Sequence, residues 1–190
     1  MTHSSTRNPE EPHPTASDEP ALAGAAAATA AERVLAKRKL FNLAVYDEKL
    51  WAHVTHPNIL PVIADLLGTD DIKMYGDQLF MKSPDVGSAL PWHQDSASWR
   101  DILPMDPVTA WCAIDHATTE NECLNFVPGS HRWGMLAQDR LAHFVEDFDS
   151  RQWPLAPVPL RPGSISFHHS LTVHSSSAMR WSRSVGQLEG

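Results

Sequence analysis

The chain has 190 residues, of which 42% are hydrophobic, and it carries a formal net charge of -8 with two cysteines. This length predicts one main domain with an apolar core. The acidic balance, without a basic stripe, argues against nucleic acid or an anionic membrane as partner. No apolar run approaches the roughly 20 residues of a membrane span, and the N-terminus lacks a signal-peptide pattern. Cysteines inside apolar runs indicate buried thiols and a cytoplasmic setting.

Residues 1–30 are predicted to form a disordered tail in front of a domain at 31–190. The first twenty, MTHSSTRNPEEPHPTASDEP, are polar and interrupted by proline, which is typical of disorder. The next stretch, ALAGAAAATAAERVLAKRKL, is rich in alanine and predicts a helix with Leu40 and Phe41 on its apolar side.

A second helix is predicted after Asn58. Apolar residues recur there with the i, i+3, i+4 spacing of one helix face. Asn58 can cap the start of this helix, and Gly68 can end it.

After Gly68 the pattern changes to short strands separated by proline, glycine and aspartate. Residues 135–160 are less regular and predict a long excursion of the kind that often lines a functional site. Two helices followed by short strands predict an antiparallel sandwich or barrel with helical support. The predicted strands are 72–82, 108–114, 123–127, 164–169 and 171–176.

The stretch LPWHQDSASW places His93 two residues before Asp95. Such a pair is either a solvated loop or the first two ligands of a metal site. Two histidines and one carboxylate on one face would leave positions open for dioxygen and a bidentate co-substrate on non-haem Fe(II). The segment FHHSLTVH offers the third ligand, and strand alternation does not choose between His168 and His174.

Three blocks of the sequence resemble the phytanoyl-CoA dioxygenase family of Fe(II)- and 2-oxoglutarate-dependent oxygenases. WHQD is similar to the family's first metal motif, and VTAWCAIDHATTENECLNFVPGSHRWG to its most recognisable block. RPGSISFHHSLTVHSS is similar to the strand pair that carries the distal histidine. The resemblance runs from about residue 40 to 177 and implies a mostly-β fold with supporting helices. That fold is a double-stranded β-helix, a jelly roll or cupin-like barrel with the metal at one open end.

The resemblance also implies the site. It makes His93, Asp95 and His174 the ligands of Fe(II), with 2-oxoglutarate and dioxygen as co-substrates. The family positions that line the co-substrate pocket fall on Gln78, Lys82, Trp111 and Ser176.

An arginine that binds the distal carboxylate of 2-oxoglutarate is part of the same pattern. Its usual position, about eleven residues after His174, falls on Val185. Arg183 lies two residues earlier and therefore on the same strand face, so we expect Arg183 to anchor the co-substrate, with Arg180 as its competitor.

The resemblance implies a dioxygenase that hydroxylates a small organic molecule. The chain ends sixteen residues after His174, where family members usually continue, and it begins closer to Ile59 than they do. We therefore also consider a truncated, catalytically impaired homologue that keeps the metal site. A cupin enzyme that does not use 2-oxoglutarate is a third interpretation, although it would usually draw on more histidine and glutamate ligands. No pattern predicts the substrate's identity or the oligomeric state.

Overall fold

The computed structural model describes residues 15–18, 37–81, 89–121, 123–137, 139, 141 and 155–176. These residues form nine strands, two α-helices and two short 3-10 turns, the turns at Asp95–Ala97 and Ser130–Trp133. None of the described helices is both long and apolar enough to cross a bilayer. In chain order the elements are β1 (Thr15–Asp18), β2 (Lys37–Phe41), α1 (Glu48–Val54), α2 (Leu60–Leu67), β3 (Gln78–Phe80), β4 (Leu90–His93), β5 (Val108–Cys112), β6 (Leu124–Phe126), β7 (Ala156–Val158), β8 (Ile165–His169) and β9 (His174–Ser176).

The strands form three antiparallel sheets with the orders β1-β2-β3, β4-β9-β6-β7 and β5-β8. The last two sheets meet where the ring of Phe126 on β6 lies 5.0 Å from the ring of His168 on β8. Asp95 and His174 also lie at this meeting point, since Asp95 Oδ2 is 3.2 Å from His168 Nε2 and the ring of His174 is 5.5 Å from that of Phe126. The prediction of a mostly-β fold with supporting helices is confirmed.

The buried core cluster lies where β6 ends and β9 begins. Val127, Leu141 and Val173 are at most 1% exposed, and Trp92, Trp133 and Leu136 pack against them. The backbone N–H of Val127 donates to Val173 O at 3.0 Å. The backbone N–H of Val173 donates in turn to the buried Oγ of Ser130 at 2.8 Å. These contacts hold the residue just before His174, and therefore the start of β9, in place.

Both helices have identifiable ends. Asp47 begins α1, because its carboxylate accepts hydrogen bonds from the backbone N–H groups of Lys49 and Leu50 at 2.8 and 3.1 Å. We did not predict this helix. In α2 the predicted end is confirmed, since Gly68 has the left-handed backbone (φ 68°) that glycine adopts without strain.

The predicted start of α2 at Asn58 is wrong. The helix begins one residue later, after Ile59, and no side chain caps it. The backbone N–H of Asn58 instead donates to His56 Nδ1 at 3.1 Å, which places Asn58 in a turn that precedes the helix.

Lys37–Phe41 is a strand, where we predicted the end of an alanine-rich helix. This strand lies between β1 and β3, with Leu40 opposite Ala16 and Leu79. Pairing on both sides outweighs the local helix preference, which amounts to tenths of a kcal/mol per residue, about 0.7 at most. Strand β1 itself lies inside the predicted tail. The remainder of 1–30, and residues 21–36 of the predicted helix, lie outside the described residues, so the domain boundary stays a prediction.

Each of the five predicted strand segments contains an observed strand, although 72–82 contributes only Gln78–Phe80. Strands β4 and β7 were missed, and β7 lies within the predicted excursion. Both carry a proline, Pro91 and Pro157, and both are edge strands of the four-stranded sheet. An edge strand tolerates proline because it needs no hydrogen-bond donor on its outer side.

Candidate metal centre

Two adjacent antiparallel strands bring together His93, Asp95 and His174. His93 ends β4 and pairs with His174, the first residue of β9, while Asp95 begins the 3-10 turn that follows β4. The Nε2 atoms of both histidines lie 3.6 Å from Asp95 Oδ1. One potential ligand atom of each residue lies within 4.8 Å of the others, a separation that suits one shared metal ion. The structure therefore groups the three side chains that the resemblance implied.

Backbone carbonyls set the orientation of both histidine rings. His93 Nδ1 lies 2.9 Å from Pro91 O, and His174 Nδ1 lies 2.8 Å from Thr172 O. A carbonyl only accepts hydrogen bonds, so each Nδ1 carries the proton and each Nε2 presents its lone pair to the centre. Two lone pairs and a carboxylate oxygen directed at one another repel unless a cation lies between them. The donor set, two neutral imidazoles and one carboxylate, fits non-haem Fe(II).

The other carboxylate oxygen of Asp95 faces the two-stranded sheet. Oδ2 accepts a hydrogen bond from Thr109 Oγ1 at 2.8 Å and lies 3.2 Å from His168 Nε2. His168 is not a member of the group that could share one ion. His168 and His174, between which strand alternation does not choose, lie on different strands in different sheets, and of the two only His174 belongs to that group.

Burial and the local contacts determine the charge of these groups. Burial alone would raise the pKa of Asp95, but the hydrogen bond and charge of His168, the charge of His174 and the hydrogen bond from Thr109 together lower it to about 2. Burial, followed by the charge of His93, lowers the pKa of His174 to about 4. Burial likewise lowers the pKa of His93. At neutral pH the carboxylate is therefore ionised and both imidazoles are neutral, which is the protonation state that a metal requires.

We expect the metal-free protein to lose stability as the pH falls from 6.5 to 4. His174 binds its proton near pH 6.5 when unfolded and near pH 4 when folded. Between these values the unfolded chain holds more protons, so the free energy of unfolding rises with pH, by about 3 kcal/mol for this group. Unfolding by denaturant at several pH values, compared with His174→Asn, measures the effect. Equal pH dependence in both proteins would contradict it.

Gln94 lies between His93 and Asp95, directly after β4, and connects this segment to two others. Its side chain is fully buried. Nε2 donates to Gly134 O at 2.9 Å and to Leu171 O at 2.7 Å, while Oε1 accepts from the backbone N–H of Leu136 at 2.8 Å. Gln94 thus joins the start of the turn at Asp95–Ala97 to the segment that follows the turn at Ser130–Trp133 and to the loop between β8 and β9. We did not identify this role from the sequence, because all three partners are backbone groups distant along the chain.

Gln94→Leu should lower the free energy of unfolding by about 2–4 kcal/mol, because three backbone groups lose their partner in a largely buried place. Denaturant unfolding measures the change. Gln78→Leu is a matched control, since Gln78 is exposed and its replacement should cost less than about 0.5 kcal/mol. Similar losses in the two variants would show that the buried hydrogen bonds of Gln94 are not what matters.

The remaining predicted site residues are only partly accounted for. Trp111, on β5, lies opposite Ser166 on β8 and shares a strand face with Thr109. Ser176 is buried on β9 and shares a strand face with His174. Gln78 is exposed and lies in the separate β1-β2-β3 sheet. Lys82, Arg180 and Arg183 lie outside the described residues. The co-substrate roles of these residues stay predictions.

A family model and individual proteins match the sequence of the chain. The family model of phytanoyl-CoA dioxygenase matches residues 15–183. A probable phytanoyl-CoA dioxygenase of Caenorhabditis elegans is 30% identical over 149 residues, covering 70% of this chain and 47% of that protein. The peroxisomal phytanoyl-CoA dioxygenase of Mus musculus is 30% identical over 146 residues, covering 68% of this chain and 41% of that protein. The chain thus spans less than half the length of these relatives.

Solved structures share the architecture. The non-haem α-ketoglutarate-dependent carbocyclase SnoK, from nogalamycin biosynthesis, is 25% identical with a TM-score of 0.59, over 74% of this chain and 56% of that one. EctD from S. alaskensis, solved with 2-oxoglutarate and 5-hydroxyectoine, is 20% identical with a TM-score of 0.64, over 76% and 52% of the two chains. The predicted double-stranded β-helix is confirmed.

Proposed function

Because the chain belongs to the phytanoyl-CoA dioxygenase family, we propose that it is an Fe(II)- and 2-oxoglutarate-dependent dioxygenase that hydroxylates a small organic molecule. The single observation that supports this activity is the convergence of His93, Asp95 and His174. Two neutral imidazoles and one carboxylate occupy one side of a metal ion and leave its other positions to co-substrates.

When bound, Fe(II) supplies the oxidising chemistry, in which substrate, 2-oxoglutarate and dioxygen become hydroxylated substrate, succinate and carbon dioxide. The protein holds the ligands in place for it. The carbonyls of Pro91 and Thr172 keep both imidazoles in the metal-binding tautomer. Asp95 Oδ2 lies within contact of Thr109 and His168, while Oδ1 faces the two imidazoles.

An anaerobic titration of the protein with Fe(II) and then 2-oxoglutarate tests this function directly. We expect a visible metal-to-ligand charge-transfer band that requires both components, followed by succinate release when oxygen is admitted with a substrate. Iron binding without the band and without succinate would instead identify the homologue that keeps a metal site and lacks turnover. Absence of iron binding would overturn the assignment of the three ligands.

We further propose that Arg183 binds the distal carboxylate of 2-oxoglutarate. Arg183 is the last residue that the family model matches. It lies two residues before the family's usual position, and in a strand such a shift keeps the side chain on the same face and moves its origin by about 6.6 Å, which a long side chain or a bulge can absorb. A buried carboxylate without a paired cation is strongly disfavoured, so an active enzyme needs such a residue. Gln78, Lys82, Trp111 and Ser176 are proposed to line the same pocket.

Arg183→Leu should weaken 2-oxoglutarate binding about 30-fold or more, because a charge-assisted bidentate pair is worth about 2–5 kcal/mol. The concentration dependence of the charge-transfer band measures this affinity without turnover. Arg180→Leu is the matched control and should bind normally. Normal binding by Arg183→Leu together with failure of Arg180→Leu would place the anchor on Arg180.

We also propose that the protein works in the reducing environment of the cytoplasm. Cys112 and Cys123 form no disulfide, and burial raises the pKa of both thiols. Both thiols therefore stay protonated at neutral pH and react slowly. The mouse relative is named as peroxisomal, so fractionation or imaging of the tagged protein should test both compartments.

A further inference from the structure

His168 is a buried polar residue beside the candidate metal centre, between two aromatic rings. It is 8% exposed, and its ring lies 5.0 Å from the ring of Phe126 and 4.7 Å from the ring of His174. Its Nε2 atom lies 3.2 Å from Asp95 Oδ2, the oxygen that Thr109 also contacts. A phenylalanine side chain could make the same ring contacts, so the contacts with Phe126 and His174 do not account for the two ring nitrogens of His168.

The environment of the ring determines where its proton lies. His168 Nδ1 is buried and has no hydrogen-bond partner within the part of the chain that the structure describes. A proton on Nδ1 would leave a buried donor unpaired and would turn the Nε2 lone pair toward a carboxylate oxygen. A proton on Nε2 forms a hydrogen bond to Asp95 instead. His168 therefore acts as a donor to the carboxylate, which is opposite to the acceptor role that a metal ligand has.

We propose that His168 is a positioning residue for the metal centre, which together with Thr109 binds Oδ2 of Asp95 so that Oδ1 is presented to the metal. Oδ1 is the oxygen that lies 3.6 Å from both His93 and His174. The terminal torsion of an aspartate side chain has a broad energy minimum, so the carboxylate can rotate about it. Donors to Oδ2 are therefore needed to keep Oδ1 directed at the centre. Supporting donors of this kind typically change metal affinity about 10- to 100-fold. The inference rests on the proposed function only in taking the centre to bind a divalent metal.

Three substitutions of His168 separate positioning from packing, because the Gln variant and the two variants without a donor should differ in opposite directions in the two cases. His168→Gln removes the ring and keeps an N–H donor at about the same reach. His168→Phe keeps an aromatic ring against Phe126 and removes the donor. His168→Leu also removes the donor, and its side chain ends short of the position of the histidine Nε2, so it does not crowd Asp95. A positioning role predicts that the Gln variant binds metal nearly as the parent does, while the Phe and Leu variants bind about 10- to 100-fold more weakly.

The probe is Co(II), which is stable in air and reports its coordination by visible absorption, so affinity and spectrum are obtained without turnover. Thr109→Val should weaken binding in the same direction, and Thr109→Ser should not. His169→Gln is the control, because His169 contacts Asp106 at 3.5 Å instead of Asp95. Circular dichroism and denaturant unfolding identify any variant that fails to fold, and a folded Leu or Phe variant decides the result.

Each outcome bears on the inference. Weak binding with an altered Co(II) spectrum in the Phe and Leu variants, restored in the Gln variant, supports positioning. Normal Co(II) binding by the Phe variant together with weak binding by the Gln variant would show that His168 only packs against its neighbours, and would overturn the inference. A parent protein that binds Co(II) without ever releasing succinate would refute the proposed activity and leave this inference standing. A parent that binds no divalent metal overturns both.

Discussion

Asp95→Ala should abolish succinate formation and weaken Fe(II) binding. Asp95 is the only anionic member of the ligand group, and its Oδ1 lies 3.6 Å from both histidine Nε2 atoms. Its removal deletes the charge that offsets the metal and leaves Thr109 and His168 without their acceptor. The effect should exceed the about 10- to 100-fold that loss of a supporting contact costs, because a ligand itself is lost. Metal analysis after dialysis and a coupled succinate assay measure the two results.

Asp106→Ala is the matched control for Asp95→Ala. It also removes one carboxylate, but that carboxylate is 66% exposed and contacts only the ring of His169, at 3.5 Å, among the contacts that the structure describes. An exposed pair of this kind contributes little. Iron content and turnover should therefore match those of the parent protein. If Asp95→Ala retained normal iron, the centre would have to use a different carboxylate.

His174→Ala should lose iron, while His169→Ala should retain it. His174 is 4% exposed, and its ring lies 4.1 Å from that of His93, so no other side chain can easily take its place. The substitution leaves a ring-sized space open toward the centre, and added imidazole should restore part of the iron binding. Metal analysis with and without imidazole is the measurement.

Normal iron in His174→Ala would assign the third ligand to another residue. His168 would then be the first candidate, because its Nε2 already lies 3.2 Å from Asp95. The comparison is sharpened by His168→Leu, which should weaken metal binding without eliminating it. His169 lies next to His168 on β8 but its side chain points to the other face, so it controls for the loss of a histidine from this segment.

Much of the fold followed from local patterns. The alternation and punctuation after Gly68 identified a strand in each of five segments, and the i, i+3, i+4 spacing identified α2 together with its glycine end. These predictions succeed because apolar residues that share one face of a strand or helix repeat with the period of that element. In α2 that face is only partly covered, since Val62 and Leu66 are 38% and 56% exposed. The errors arose where distant contacts act. Lys37–Phe41 became a strand through pairing with β1 and β3, and the edge strand β4 accommodated Pro91.

By itself the sequence determined the chemistry that is available: a His-x-Asp pair, a later group of histidines, and motif blocks in the order of one oxygenase family. Only the tertiary structure decided how those residues act. It places His168 and His174 in different sheets, on opposite oxygens of Asp95, and sets the tautomers of His93 and His174 through the carbonyls of Pro91 and Thr172. It also gave the buried Gln94 its three backbone partners. The physical reason is that composition and spacing specify which groups a chain carries, whereas direction, protonation and support depend on contacts between segments far apart along it.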